Sequence, residues 1–280
     1  MPVKPSETLH ALRRAVADLT AGVPGEDNRQ VSFGVVSLDQ ALAGGLICGA
    51  LHEISPAAPL QGGAATGFAV ALAARALRER GQAVWIQPDF TVTEAGALYG
   101  LGFDLMGLPM ERVIILRVPH PRDVLWAMEE ALKCHAVAVA VAEFTREAAD
   151  LTATRRLALA ARAGGGLGLI LHLNAACDDK PLYGQPFCRQ PTTATTRWEV
   201  ASAFGMRDRF GGLGPTTFAL SLVKNRRGRT GQWRLSWDHH ECTFAASLSL
   251  PVASATRDGS HRSALPRDES PLAWPRMRAG

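Results

Sequence analysis

Residues 51–80 read LHEISPAAPLQGGAATGFAVALAARALRER. The apolar segment Leu51–Ile54 predicts a short strand, and the Ala-rich segment Ala65–Arg80 predicts a long helix. A turn rich in Pro and Gly separates the two segments. Strand, glycine-rich turn and helix in this order are typical of a phosphate-binding loop in an α/β fold. We therefore take this stretch as the element that decides the fold.

The turn lacks the lysine that a working phosphate-binding loop needs. In the pattern G-x-x-x-x-G-K-[ST], backbone N–H groups surround the phosphates, the Lys reaches the β- and γ-phosphates, and the hydroxyl holds Mg²⁺. The turn supplies only Gly62, Gly63, Thr66 and Gly67. The lysines of the chain are Lys4, Lys133, Lys180 and Lys224, so none falls in this loop in any register. We predict a degenerate loop with no bound cofactor, which is either a tight turn or a weak anion site made by backbone donors.

The composition indicates one α/β domain with tails, because the chain has 280 residues of which 47% are hydrophobic and 20% are charged. We expect an N-terminal helix and linker over residues 1–30, a core domain over 31–248 and a disordered tail over 249–280. The five cysteines show no C-x-x-C pairing, which favours reduced thiols over disulfides or a metal site. No apolar stretch approaches the ~20 residues that span a bilayer. We expect a cytoplasmic protein without membrane contact.

Strands and helices are expected to alternate after residue 80, as a parallel sheet requires. Strands are predicted over residues 83–90, 112–118, 136–144 and 167–173. Helices are predicted over Thr93–Gly100, with Leu98 and Tyr99 on its apolar side, over Pro121–Cys134, and after a cap at Asp150 or Thr152. A strand over 192–202 and a hairpin around Arg227–Arg229 follow. The pattern predicts a mostly parallel sheet flanked by helices, with a C-terminal antiparallel hairpin.

Several phrases of the sequence resemble the RecA core, and within that superfamily they resemble the ImuA family. LSLVKNRRG at 220–228 is similar to the RecA-type V-K-N strand and turn. VLWAMEEALKC at 124–134 and DLTATRRLALAARAGG at 150–165 are more specific to ImuA, together with LHEIS at 51–55 and GAATGFAVALAAR at 63–75. The resemblance covers roughly residues 30 to 245 and implies a RecA-like fold.

The resemblance also implies a function and partners. The ImuA family is the non-polymerase, accessory member of an error-prone translesion synthesis system that DNA damage induces within the SOS response. Its implied partners are ImuB, a Y-family polymerase homologue, and the DnaE-type polymerase ImuC through the complex. RecA and single-stranded DNA are further candidate partners, and the protein would be nucleoid-associated when active.

The same resemblance places two acids at the expected nucleotide site. In an active RecA-type ATPase a loop Lys, a strand acid that binds Mg²⁺ and a carboxylate that activates water act together. The strand acid would be Glu143, where the superfamily usually has Asp, and the water-activating carboxylate would fall near Asp89, where RecA carries Glu. The Glu143 side chain is one methylene longer than the usual Asp, and the Asp89 side chain is one methylene shorter than the usual Glu, so both carboxylates would be misplaced. We predict no catalytic residue, no metal and no ATPase activity.

Two basic segments are candidate binding surfaces. The first contains Trp233 and five cations without an acid, namely Lys224, Arg226, Arg227, Arg229 and Arg234. Clustered Arg with an aromatic side chain can hold single-stranded DNA by phosphate contacts and stacking. A protein contact and a solvated turn with inward-facing tryptophans are the alternatives. The second segment is Arg155 and Arg156, which are either a solvated helix face or a partner surface. Trp274 in the tail is a further candidate for partner binding.

The sequence favours a non-catalytic RecA-like adaptor of the translesion complex. One alternative is a divergent DNA-dependent ATPase that uses an unconventional cation such as Arg75, which lies about two turns into the helix and so too deep for that task. Another alternative is a SulA-like inhibitor of cell division, since that family also keeps a RecA-like core without the loop Lys.

Overall fold

The computed structural model describes residues 29–58, 60–78, 81–144, 149–173, 191–205, 212 and 214–247. The strands in these residues are β1 (Gln30–Val31), β2 (Leu46–Ile47), β3 (Ala50–Pro56), β4 (Gln82–Pro88), β5 (Val113–Val118), β6 (Val137–Phe144), β7 (Leu167–His172), β8 (Thr196–Ser202), β9 (Thr217–Asn225), β10 (Gly231–Asp238) and β11 (Thr243–Ala246). The α-helices are α1 (Val36–Ala41), α2 (Gly62–Leu77), α3 (Asp89–Ala95), α4 (Gly100–Leu105), α5 (Pro121–Lys133) and α6 (Leu151–Gly164). The predicted N-terminal helix and C-terminal tail lie outside the described residues, and the domain boundaries stay a prediction.

Nine strands form one sheet, in the order β11-β10-β9-β8-β3-β7-β6-β4-β5. Each neighbouring pair among β8, β3, β7, β6, β4 and β5 is parallel. Strand β9 pairs with β8 in antiparallel fashion, and β10 and β11 continue the sheet beyond it, each antiparallel to its neighbour. The mostly parallel α/β sheet and its C-terminal antiparallel hairpin are therefore confirmed. The sequence analysis misses strand β11 and the separate two-stranded ladder of β1 and β2.

Helices cover both faces of the sheet. Helix α2 packs on one face, and its many alanines bring its backbone close to the strands. Phe68 of α2 lies 5.8 Å from the ring of Trp198 and 6.2 Å from that of Phe33. Helices α5 and α6 pack on the other face through side chains such as Met128 and Leu157. Every residue of β6 is buried as a result, which confirms the prediction of a central strand covered on both faces.

Local signals set the ends and the mutual packing of α5 and α6. The Asp150 carboxylate caps α6 by accepting a hydrogen bond from the Ala153 N–H at 2.6 Å, as one of the two predicted caps. Glu129 and Lys133, one turn apart on α5, form an ion pair at 3.0 Å. Glu129 also pairs with Arg156 of α6 at 2.6 Å, so the two helices are joined by charge as well as by apolar contacts.

The predicted single helix over Thr93–Gly100 is wrong. The structure divides this stretch: α3 ends at Ala95, α4 begins at Gly100, and Leu98 and Tyr99 lie in the connection between them. Gly96 has a φ of +89°, a backbone conformation that L side chains rarely adopt, and it ends α3. The strand predicted over 83–90 also ends early, because Asp89 already begins α3. Among the described residues, no helix combines the length and apolarity that crossing a membrane would take.

Candidate functional site

A cavity of about 690 Å³ opens where the parallel strands end. It lies between the start of α2, the ends of β4 and β6, and the connection from α3 to α4. Its larger apolar side chains are Leu60, Val70, Leu98, Phe103, Met106 and Leu173. In open α/β sheets, ligands bind at the carboxyl ends of the strands, so this cavity is the candidate site.

The residues predicted from the degenerate loop all reach this cavity. Gly62, Gly63, Thr66 and Gly67 line it from α2. The loop before α2 is fixed to strand β8 at two points. The Ala57 N–H donates to the Val200 carbonyl at 2.8 Å, and Gln61 Oε1 accepts hydrogen bonds from the Ser202 N–H and hydroxyl, both at 2.9 Å. Ala57 and Gln61 are therefore both held against β8, although the loop has no phosphate-binding lysine.

Glu143 lies at the cavity with both carboxylate oxygens engaged by the protein. It is only 1% exposed. Oε1 accepts a hydrogen bond from Trp85 Nε1 at 2.7 Å, and Oε2 accepts one from Gln87 Nε2 at 3.0 Å. Burial raises the pKa of the Glu143 carboxyl above its usual value, and the two hydrogen bonds oppose this shift. Both donors come from β4, the strand next to β6.

No described lining residue of the cavity is a cation that could neutralise phosphate, since none of them is Lys, Arg or His. Arg75, the unconventional cation of the ATPase alternative, donates instead to the carbonyls of Ser32 and Cys242. Asp89 is not among the described lining residues. It pairs with Arg117 on β5 at 2.9 Å, and the side chains of both residues are more than half exposed.

The five cations of the basic segment lie on different surfaces. Lys224 Nζ and Arg226 Nη2 donate to the same Thr192 carbonyl, at 2.8 and 3.2 Å. Burial, followed by the nearby Arg226 charge, lowers the pKa of Lys224. Arg227 Nη1 is buried and has no hydrogen-bond partner among the described residues. Arg229 and Arg234 are exposed.

Trp233 does not present its ring to solvent as an open stacking surface. It is partly buried and packs against the core, with its ring 6.4 Å from that of Trp198. Arg234 follows it on β10 and is exposed, because successive strand residues face opposite sides of the sheet. The turn itself is held by Asn225 Nδ2, which donates to the Ala41 carbonyl at 2.8 Å. Trp233 and the exposed Arg234 therefore lie on opposite faces of the sheet.

Arg155 and Arg156, the second basic segment, are both exposed on α6, and Arg156 pairs with Glu129 of α5 at 2.6 Å. Trp274 lies outside the described residues. No group of His, Cys, Asp and Glu that could hold a metal ion occurs in the described part of the chain.

Two residues of the site, Trp85 and Gln87, are missed by the sequence analysis. They are two positions apart on β4 and so face the same side of the sheet, where they meet Glu143 on the neighbouring strand. The signal in the sequence is a Trp and a Gln on one face of an otherwise apolar strand. Glu143 is 58 positions from Trp85 and 56 from Gln87 in the sequence, so these hydrogen bonds could be predicted only if the strand order were known.

Comparisons with known proteins agree on a family and a fold. "Protein ImuA" of Caulobacter vibrioides, strains NA1000 / CB15N and ATCC 19089 / CIP 103742 / CB 15, is 36% identical to the chain over 210 residues, which is 73% of this chain and 82% of the relative. The crystal structure of the RadB recombinase superposes with a TM-score of 0.51 at 16% identity, covering 75% of this chain and 97% of RadB. This likeness confirms the RecA-like fold. No family model matches the chain.

Proposed function

The chain belongs to the ImuA family, and from that membership we propose that it is a non-catalytic accessory protein in an error-prone translesion synthesis complex induced by DNA damage. It acts by binding other proteins on a RecA-like framework and not by turning over a nucleotide. Its partners in this proposal are an ImuB-like Y-family polymerase homologue and, through the complex, a DnaE-type polymerase. RecA and single-stranded DNA are further candidate partners.

The proposal that the protein is non-catalytic is supported mainly by Glu143, which is buried and accepts hydrogen bonds from Trp85 and Gln87. Phosphoryl transfer needs a metal ion and cations that neutralise the charge on the triphosphate. Here the only acid among the described lining residues is only 1% exposed and is held by Trp85 and Gln87. A triphosphate would enter a cavity in which no described lining residue is a cation that could offset its negative charge, and this disfavours its binding.

Complementation of a deletion strain tests the proposal. The gene is removed from the organism that encodes it, and damage-induced mutation frequency is measured after return of the wild type, Thr66→Ala or Glu143→Gln. We expect all three to restore mutagenesis to about the same level, because neither side chain serves hydrolysis. A well-folded Thr66→Ala or Glu143→Gln protein that fails to restore mutagenesis would contradict the non-catalytic assignment.

Co-purification tests the partner assignment. The full chain with an affinity tag is expressed beside the ImuB-like protein, and the purified complex is measured by size-exclusion chromatography with light scattering. The proposal predicts a stoichiometric complex that forms without added nucleotide. Absence of a complex, or a strict need for ATP, would contradict it.

A further inference from the structure

Lys224 and Arg226 converge on one uncharged oxygen. Lys224 is near the end of β9, and Arg226 directly follows the strand. Their side chains donate to the same Thr192 carbonyl, at 2.8 and 3.2 Å, so the two positive charges are held close together. A carbonyl oxygen accepts both hydrogen bonds but carries no net charge, so it does not neutralise either cation. Both groups keep further N–H donors that are available to a second acceptor.

The acids around this pair leave it without a counter-ion. No described acid forms an ion pair with either cation. Glu53 is already paired with Arg197 at 2.6 Å, and Arg197 adds a third cation by donating to the Thr192 hydroxyl at 3.3 Å. Burial, followed by the Arg226 charge, lowers the pKa of Lys224, as expected for a cation beside like charges. Three cations thus meet at Thr192 with one carboxylate among them.

A further cation, Arg234, points to the same side of the sheet. Lys224 is paired opposite Arg197 on β8, so both point away from the core under α2, to which the next residue, Trp198, belongs. On β10, Trp233 packs against that core, and Arg234 therefore points to the other side. Arg234 is exposed and forms no ion pair with a described residue. The apolar core under α5 and α6 contains no described residue of β8, β9 or β10, so these helices do not cover this side.

The partner that fits this face is extended and negatively charged. Arg234 is paired opposite Ala219 on β9, which places it about 15 Å along the strand from Lys224. One small anion cannot contact both positions, whereas a polyanion can. Val223 is the only exposed large apolar side chain described on β8, β9 and β10, so the face lacks the apolar centre typical of a protein interface. Glu199 points to this side of β8 and directs a polyanion to β9 and β10.

From this arrangement we infer that the face of β9 and β10 opposite α2 binds single-stranded DNA through its phosphates, held by Lys224 and Arg226 at one end and by Arg234 at the other. Trp233 lies on the opposite face, so bases do not stack on it and binding does not depend on base sequence. Phosphate contacts of this kind make binding sensitive to salt. The inference rests on the proposed function, in which single-stranded DNA is a candidate partner, and names the surface that contacts it.

Fluorescence anisotropy of a labelled oligothymidine with the full chain, between about 50 and about 200 mM salt, tests the inference. Three phosphate contacts predict that the logarithm of the binding constant falls with the logarithm of salt concentration with a slope of about −2. Lys224→Gln, Arg226→Gln and Arg234→Gln should each weaken binding at least about threefold at low salt and bring the slope about 0.7 closer to zero. Arg122→Gln is the matched control, because it removes the same charge from an exposed position on α5.

Melting temperatures check the folding of each variant, and Arg234→Gln tests the inference at an exposed position that makes no contact with Thr192. An oligomer of abasic deoxyribose phosphate should bind within about twofold of oligothymidine, because the bases are not stacked. A wild-type slope near zero, an unchanged slope in all three variants, loss of binding to the abasic oligomer, or equal affinity for polyglutamate would overturn the inference. If the wild type binds no oligonucleotide but forms the complex with the ImuB-like protein, the inference is wrong and the proposed function stands. If it does neither, both are wrong.

Discussion

The indole N–H of Trp85 donates a hydrogen bond to the Glu143 carboxylate at 2.7 Å, between neighbouring strands of the parallel sheet. With Gln87 on the other oxygen, the acid that the resemblance would assign to Mg²⁺ has become part of the core. The RecA-like framework thus places an acid at this position, where it is buried and accepts two hydrogen bonds from β4. This contact links the fold to the proposed loss of catalysis.

The raised pKa of Glu143 predicts a specific dependence of stability on pH. The folded protein keeps a proton that the unfolded chain loses near pH 4.5, so this contribution to stability is complete below that pH and is lost as pH rises through the folded-state pKa. Glu143→Gln should therefore lose less stability than the wild type as the pH rises above about 4.5. Melting temperatures across this range check the prediction, and parallel curves for the two proteins would refute it.

His52 predicts the opposite dependence. Its Nε2 donates to the Ile47 carbonyl at 3.0 Å, so its Nδ1, 2.7 Å from the Thr196 hydroxyl, accepts a hydrogen bond and the ring is neutral. Burial lowers its pKa from 6.5 to about 4. The unfolded chain takes up a proton first as pH falls, so His52 contributes stability above pH 6.5 that is lost towards pH 4.

The full loss from His52 corresponds to about 3 kcal/mol. In His52→Gln, the decrease in the free energy of unfolding between about pH 7 and about pH 4 should be smaller than in the wild type by roughly this amount. Urea unfolding at both pH values measures it. Burial also lowers the pKa of His172 to about 4. The free energy of unfolding of His52→Gln should therefore still decrease towards pH 4, because His172 remains. An unchanged decrease would show that His52 is not held neutral.

The ion pair between Arg197 and Glu53 should be strongly coupled. Arg197 Nε and Glu53 Oε2 are 2.6 Å apart, and the side chains of Arg197 and Glu53 are 13% and 1% exposed. Arg197→Met leaves the Glu53 carboxylate buried without this partner, and should lower the free energy of unfolding by about 3 kcal/mol. Adding Glu53→Met should recover most of that loss, since a buried pair gains little over apolar residues. Simple additivity of the two substitutions would contradict this description.

Two glycines in helices should respond oppositely to alanine. A Cβ at Gly164 of α6 would lie 2.0 Å from the Leu132 carbonyl, so Gly164→Ala must move α6 away from α5 and should cost about 2 kcal/mol. A Cβ at Gly63 of α2 would have open space, so Gly63→Ala should be neutral or stabilising by up to about 1 kcal/mol. Chemical denaturation of both variants compares them directly, and equal effects would show that the close approach of α5 and α6 is not required.

Much of the fold could be predicted from local signals. The apolar run Val137–Phe144 indicates a strand covered on both faces, and Asp150 before the next apolar period indicates a helix start. The predicted helix over Thr93–Gly100 fails because one glycine, Gly96, adopts a positive φ that composition alone does not require. Strand β11 is only four residues long, too short for periodicity to separate it from a loop.

The candidate site could be predicted only in part. The missing lysine and the position of Glu143 are visible in the sequence, but the partners of Glu143 depend on β4 lying beside β6. The basic segment illustrates the same limit. Its charges are adjacent in the chain, yet strand alternation and the contacts with Thr192 direct Lys224, Trp233 and Arg234 to different surroundings. Sequence proximity indicates a binding surface only when the backbone presents the side chains together.

If the RecA-like framework does not use ATP, calorimetric titration of the full chain with ATP and Mg²⁺ should show no binding. The titration is run with and without single-stranded oligothymidine, and phosphate release is measured in parallel. We expect no saturable heat up to about 1 mM nucleotide and no hydrolysis above background in either condition. Saturable binding at about micromolar concentration, with DNA-stimulated phosphate release that Glu143→Gln abolishes, would contradict it.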